Sequence, residues 1–202
     1  MRQVSKIVLL LAVLGMAACA PKAFTPAERK IIEGQDSLMY VTTWPLDSAV
    51  LRTPAVDFGL AELASPLLET LKAKMLYTVQ DPSQDGVGIA APQVGISRRL
   101  VCVQRFDLTG EPFECYVNVR IDSLAGAVVC GPEGCLSVPG LRGQVPRHEV
   151  VYISYLKPGA LSVSERVSER IEGFTAVIFQ HECDHLDGVL YIDKAVEIRA
   201  VE

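Results

Sequence analysis

The pattern HECDH at residues 181–185 constrains the fold more than any other feature of the chain. It lies in a run, roughly 174–186, in which apolar residues and histidines recur every three or four positions, and this spacing predicts a helix. Residues four apart on a helix point the same way, so His181 and His185 can reach one metal ion. Glu182 can then reach water bound to that ion. The pattern therefore predicts a buried helix that carries a hydrolytic metal site.

A catalytic metal site needs a third protein ligand and one open position for water. Only seventeen residues follow His185, whereas the turn EGCLS at 133–137 offers the thiol of Cys135 upstream. A histidine on an apolar helix face is more often a core residue than a ligand. Two of the chain's three histidines flank a glutamate here, which favours a metal site held by Cys135 and both histidines.

The remaining pattern predicts a single domain with helices and short antiparallel strands. The length of 202 residues suits one domain, and half of the residues are hydrophobic. We predict a first helix over 66–79 and short strands at 100–103, 115–121, 127–129 and 150–155, separated by Gly, Pro and Asp. A net charge of −5 without any basic cluster argues against a nucleic-acid partner.

The N-terminus has the order of a secretory signal. Arg2 and Lys6 precede the apolar run 7–14, and small residues lead to Cys19. The sequence MAAC at 16–19 resembles the lipobox of bacterial lipoproteins, which implies a lipid on Cys19. We therefore expect a signal peptide at 1–19, a tether at 20–36 and a catalytic domain at 37–202, with an uncleaved apolar N-terminus or a misassigned start as alternatives.

Without Cys19, five cysteines remain, and an odd number cannot pair completely. If Cys135 binds the metal, any disulfide lies among Cys102, Cys115, Cys130 and Cys183. The sequence does not assign it.

Three motifs in order resemble the peptide deformylase family: GVGIAAPQVG at 86–95, EGCLS at 133–137 and QHECDHLDG at 180–188. The similarity extends over roughly 51–193. It implies an α+β fold in which antiparallel sheets surround the helix that carries HExxH. The chain ends nine residues past Asp193, so the terminal helix of some members must be short or absent.

The resemblance also implies a role for each matching residue. Glu182 is the acid and base, and the developing oxyanion is stabilised by Gln93, the backbone N–H of Leu136 and the metal. Gly88 offers its backbone to the substrate. The remaining roles are a methionine pocket of Val87, Phe174, Val177 and Ile178, a peptide contact at Arg142, and support of the ligand loop by Glu133 and Arg147. The alternative for Glu133 and Arg147 is a surface ion pair.

The implied reaction is removal of the formyl group from formyl-methionyl peptides by a monomer that holds one divalent ion. The ligand set suits zinc, iron, nickel or cobalt alike, and the resemblance implies ferrous iron in many members and zinc in others. Peptide-bond hydrolysis and a silent binding lipoprotein are the alternatives. Deformylases act on nascent chains in the cytosol, whereas the leader predicts a lipid-anchored protein of the cell envelope. A cytoplasmic location is the alternative.

Overall fold

The computed structural model describes residues 23–157 and 166–201. In this part of the chain an antiparallel sheet is covered by helices on both faces, as the α+β prediction requires. The helices are α1 (Pro26–Ile32), α2 (Ser48–Leu51), α3 (Leu60–Leu63), α4 (Pro66–Val79) and α5 (Phe174–Leu186). The strands are β1 (Gly88–Ala90), β2 (Leu100–Gln104), β3 (Phe113–Cys135), β4 (Val138–Leu156), β5 (Arg166–Glu172) and β6 (Glu197–Ala200). Two 3₁₀ turns cover Ala91–Val94 and Tyr191–Asp193.

The sheet runs in the order β1, β2, β3, β4, β5, and every neighbouring pair is antiparallel. Strand β4 is long enough to have two further partners. Its second half pairs with β5, whereas Leu141 to Gln144 in its first half pair with β6. The ligand turn at Cys135 and β6 therefore lie at the same end of β4.

Strand β2 is buried on both faces. Leu100 and Cys102 belong to the core beneath α4, and Val101 and Val103 belong to the core beneath α5. Because successive strand residues point to opposite faces, the continuous apolar run of β2 feeds two cores at once. Helix α5, which carries the two histidines, therefore packs on this face of the sheet and contacts β2 and β4.

The two main helices agree with the sequence predictions. The side chain of Ser65 accepts a hydrogen bond from the Leu67 N–H, and Pro66 occupies the first turn of α4. Helix α5 ends before Gly188, which has a φ of +75°. A Cβ at Gly188 would lie 2.6 Å from the Arg52 carbonyl oxygen, so this turn requires glycine.

The central strands are longer than predicted. The runs 115–121 and 127–129 both lie within β3, and 150–155 is only the second half of β4. Four register shifts interrupt the pairing of β3 with β4, so the strands continue through the Gly and Pro positions that suggested breaks.

Part of the segment predicted as a tether, 20–36, is helical and packed on the domain. Helix α1 lies within it, Phe24 and Ile32 are buried, and Glu28 pairs with Arg98 at 2.8 Å. Thr25 and Glu28 form a capping box that starts the helix. Burial of these side chains keeps residues 24–32 on the domain. The predicted signal peptide and Cys19 lie outside the described residues.

A disulfide joins Cys102 on β2 to Cys115 on β3, two residues that face each other across the strands. Cys130 is exposed and Cys183 is buried, and both are free thiols. In the described ranges, no helix has both the length and the apolar composition needed to cross a membrane. The chain after α5 forms a 3₁₀ turn and β6, and no helix follows within the described part.

Candidate metal centre and active site

Cys135, His181 and His185 converge, as the sequence predicts. Their three potential ligand atoms lie within 4.8 Å of one another, and the Cys135 Sγ is 3.1 Å from the His185 Nε2. One sulfur and two imidazole nitrogens are a donor set that iron and zinc both accept. A sharp turn after β3 presents the thiol, and α5 presents both rings. The residues therefore fit a single divalent ion.

The two histidines differ in their electrostatic surroundings. Burial, together with the neighbouring His181, keeps the pKa of His185 well below its ordinary value, so this ring is neutral and ready to bind metal. Burial also lowers the pKa of His181, but hydrogen bonds with Cys135 and Glu133 outweigh it and raise that pKa well above its ordinary value. Metal binding at His181 must therefore release a proton.

A buried ion network orients His181. The Nδ1 atom of His181 lies 2.8 Å from the Glu133 Oε2, and Arg147 holds both oxygens of Glu133 at 2.7 and 3.0 Å. The partly buried Asp184 accepts a further hydrogen bond from Arg147 at 2.6 Å. Glu133 and Arg147 are 8 % and 4 % exposed, so the alternative of a surface ion pair is wrong. Such a partner fixes which ring nitrogen faces the metal.

Glu182 lies beside the ligands and is 4 % exposed. Burial raises its pKa to about 7, with the Glu133 charge adding to the rise and His181 opposing it. Its Oε2 is buried and makes no hydrogen bond with any residue that the structure describes. A Cβ at Gly88 would lie 2.5 Å from the Glu182 Oε1. Glycine at this position therefore leaves the space that the Glu182 carboxylate occupies.

Gln93 points its amide group at the ligand turn. Its Oε1 accepts a hydrogen bond from the Ala90 N–H at 2.8 Å, which leaves its Nε2 to donate towards the Cys135 Sγ at 3.5 Å. The residue is 1 % exposed. The Ser137 N–H also donates to the Cys135 Sγ, at 3.4 Å, so the sulfur is held from two sides.

A cavity of ≈ 410 Å³ opens over these groups. Cys135, His181, Glu182, Gln93 and Gly88 line it, together with Leu136, Glu133 and Arg142. The four residues predicted to form the apolar pocket, Val87, Phe174, Val177 and Ile178, also line this cavity. Phe174 does not face the core as its helical spacing predicts. It is 55 % exposed at the cavity mouth, where it packs on Phe106 at 5.2 Å between ring centroids.

The structure adds site residues that the sequence analysis does not name. Asp184 binds Arg147 and Lys194, both at 2.6 Å. The sequence could have indicated Asp184, because this residue follows His181 by three positions and so lies on the same side of the helix. Val201 also lines the cavity, because β6 pairs beside the ligand turn. No local pattern predicts that pairing.

Comparison with known proteins agrees with this geometry. The family model described as polypeptide deformylase matches residues 41–200. A peptide deformylase of Symbiobacterium thermophilum is 46 % identical over 116 residues, which cover 57 % of this chain and only about half, 51 %, of that protein. One from Halothermothrix orenii is 44 % identical over 147 residues, 70 % of this chain and 90 % of that protein.

Among solved structures, the Met-Ala-Ser-bound class I type b peptide deformylase from Acinetobacter baumannii superposes with a TM-score of 0.67 at 36 % sequence identity. The match covers 78 % of this chain and 98 % of that one. The match of the family model over most of the chain, the similar sequences and the shared fold agree with each other. The chain is a hydrolase that removes N-formyl groups from peptides, and it belongs to the polypeptide deformylase family.

Proposed function

We propose that the chain cleaves the formamide bond of formyl-methionyl peptides at the centre formed by Cys135, His181 and His185, and releases formate. The observation that carries this proposal is the convergence of the three ligand atoms next to a cavity that Cys135, His181 and the carboxyl of Glu182 line. Cys135, His181 and His185 would hold a divalent ion, which when bound would supply Lewis-acid chemistry and lower the pKa of a water molecule towards ~7.

Glu182 acts as the general base and then as the general acid. A carboxyl with a pKa of about 7 takes a proton from the attacking water and gives it back to the departing amine with little free-energy cost in either direction. Its Oε2 has no protein partner to compete for that proton. The peptide leaves with a free amino terminus, and the formyl carbon leaves as formate.

The oxyanion that forms on the formyl group meets Gln93 and Leu136. Gln93 is held by the Ala90 N–H, so its amide nitrogen donates into the site without rotating. The backbone N–H of Leu136, next to Cys135, is the second donor in this proposal. Donors fixed in advance cost no reorganisation when the charge develops.

The apolar side of the cavity accepts the methionine side chain. Val87, Val177 and Ile178 form its wall, and the exposed ring of Phe174 stands at its entrance. The A. baumannii relative with Met-Ala-Ser bound supports a peptide with this N-terminal residue. Arg142 also lines the cavity, and in this proposal it contacts the rest of the peptide.

A formate-release assay with formyl-Met-Ala-Ser tests the reaction, using the full chain loaded in turn with iron, zinc, nickel and cobalt. Glu182→Gln keeps the size of the side chain and should lower kcat by about 10²–10⁴-fold. The matched control is Glu172→Gln, at an exposed carboxylate of β5, which should change nothing. Release of a free amino acid without formate would favour the peptidase alternative. Equal turnover by Glu182→Gln and the native chain would contradict the assigned role.

We further propose that the protein works in the cell envelope as a monomer anchored by a lipid on Cys19. The Cys102–Cys115 disulfide supports this location, because disulfides persist mainly in oxidising compartments. Phe24 is already packed on the domain, so a lipid on Cys19 would hold the catalytic domain within about 20 Å of the membrane.

Zinc is the ion we propose for that compartment, because a ferrous ion beside a thiolate is prone to oxidation there. Cell fractionation, with mass spectrometry of the residue at position 19 and of the two cysteines, tests the location. A membrane-associated, acylated protein with an intact disulfide is expected. A soluble cytosolic protein without lipid and with both thiols reduced would contradict it.

A further inference from the structure

A second groove continues from the active-site cavity across the ends of β3, β4 and β6. It has a volume of ≈ 100 Å³ and is lined by Pro132, Arg142, Gly143, Gln144, Glu197 and Arg199. Pro132 and Arg142 also line the main cavity, so the two spaces adjoin. The guanidinium of Arg142 lies over Gly134, the neighbour of Cys135, where a Cβ would be 2.1 Å from its Nη1. The groove therefore begins one residue from the metal ligand.

Two arginines face each other in this groove. Arg142 on β4 and Arg199 on β6 are direct partners in the antiparallel register. Side chains at such positions have Cβ atoms about 5 Å apart on one face of the sheet, and like charges there are destabilising. Both residues are exposed, and neither forms a salt bridge with any described residue.

The nearby acids do not neutralise this pair. Glu197 lines the groove and pairs with Gln144, but it forms no salt bridge with either arginine in the described ranges. Glu133 is turned inward to Arg147 and His181. Among the described residues that line this groove, Arg142 and Arg199 carry positive charge and Glu197 carries an exposed carboxylate, an arrangement that favours an anionic ligand.

We propose that Arg142 and Arg199 together bind a carboxylate of the peptide that lies one or two residues beyond the formyl-methionine. This inference rests on the proposed formamide hydrolysis, because it places the formyl end at Glu182 and the methionine side chain against Val87 and Val177. Two extended residues span about 7 Å, and the groove begins beside Gly134, directly before Cys135.

The inferred substrate class is short N-formyl peptides with a free C-terminus, or formyl peptides with an acidic residue soon after methionine. A peptide still attached to its tRNA has no free carboxylate near its formyl group. Arginine pairs bind carboxylates by charge-assisted, often bidentate hydrogen bonds, so the preference is expected in KM rather than in kcat.

The test compares three peptides with the metal-loaded full chain: formyl-Met-Ala-Ser, its C-terminal amide, and the amide of formyl-Met-Ala-Asp. The free acid should exceed the neutral amide by about tenfold in kcat/KM, as expected for one charge-assisted hydrogen bond. The Asp-containing amide distinguishes a side-chain carboxylate from a terminal one. The preference for the free acid should weaken as ionic strength rises, and this can be measured on the native chain.

Arg199→Gln should reduce the ratio of free acid to amide to about one, and Arg199→Lys should restore part of it. Arg170→Gln, at an exposed arginine of β5, is the matched control and should keep the tenfold preference. Equal kcat/KM for all three peptides in the native chain would overturn this inference and leave deformylation intact. Absence of formate from every peptide with every metal would instead contradict the proposed function itself.

Discussion

Two buried arginines, Arg147 and Arg98, each hold two carboxylates, yet they serve different parts of the molecule. Arg147 binds Glu133 and Asp184, and its side chain is 3 % exposed. Arg98 binds Glu28 at 2.8 Å and Glu62 at 2.5 Å, and its side chain is 5 % exposed. By charge and burial alone the two clusters look alike.

The difference lies in what the carboxylates contact next. Glu133 continues to the Nδ1 of His181, one of the three proposed metal ligands. Glu28 and Glu62 accept hydrogen bonds from the backbone at Thr25 and Gly59, at the starts of α1 and α3. One cluster orients a ligand, and the other fastens short helices to the sheet. A buried ion network therefore does not identify a functional site by itself.

Replacing Arg147 should have the larger effect, because it disturbs both stability and the metal. Arg147→Met leaves Glu133 and Asp184 without their counter-charge, so we expect a loss of about 3–5 kcal/mol in the free energy of unfolding. Metal affinity should also fall by about 10–100-fold as His181 loses its fixed orientation. Denaturant unfolding and competitive metal titration measure the two effects. An unchanged affinity would show that the network is structural only.

Replacing Arg98 should affect stability alone. Arg98→Met leaves Glu28 and Glu62 without their counter-charge, so we expect a similar loss of about 3–5 kcal/mol in the free energy of unfolding. The folded fraction should bind metal and release formate as the native chain does. The same unfolding and titration experiments apply, with kcat/KM measured well below the melting temperature. A tenfold loss of metal affinity would break the distinction between the clusters.

The two clusters should also respond differently to acid. Burial raises the pKa of Glu133, but Arg147 and His181 outweigh it and lower that pKa to about 2. Its contribution, on the order of 3 kcal/mol, is present above its ordinary pKa of about 4.5 and is lost as the pH falls towards 2. In the N-terminal cluster the pKa of Glu28 is lowered and that of Glu62 is raised, so their contributions oppose each other.

Unfolding of the metal-free protein between pH 6 and pH 3 measures this difference. Glu133→Gln should remove much of the acid dependence of stability, whereas a double replacement, Glu28→Gln with Glu62→Gln, should change its slope little. An acid slope that survives in Glu133→Gln would show that other groups dominate.

The smallest effect is expected at the solvent end of the Arg147 cluster. Lys194 pairs with Asp184, but its side chain is 43 % exposed. Lys194→Gln should cost less than ~1 kcal/mol, since an exposed ion pair contributes little. The shift in melting temperature measures it. A loss of metal affinity in Lys194→Gln would show that the exposed Lys194 also belongs to the cluster that supports His181.

The sequence predicts that Cys135, His181 and His185 lie together, because their placement depends on local spacing. His181 and His185 share a helix face, and Cys135 occupies a short turn, so a few residues suffice to indicate the site. Helix α4 is equally local, since Ser65 and Pro66 mark its start. The resemblance to the deformylases then supplies Glu133 and Arg147, whose burial the structure confirms.

Features that depend on contacts between residues far apart in the sequence are not predicted by local patterns. Helix α1 is fastened by Glu28 to Arg98, seventy residues away, so its sequence resembles a charged linker. The Cys102–Cys115 disulfide depends on the register of β2 with β3, which a cysteine count cannot supply. The long strands β3 and β4 stabilise each other through four register shifts at positions that locally favour turns.

The central claim is that one sulfur and two ring nitrogens of this chain hold the same ion. X-ray absorption spectroscopy of the zinc-loaded full chain tests it most directly. We expect one ion per chain with one sulfur and two imidazole neighbours, and loss of the sulfur signal together with tight binding in Cys135→Ala. A spectrum without sulfur in the native chain, or one unchanged by Cys135→Ala, would contradict the account.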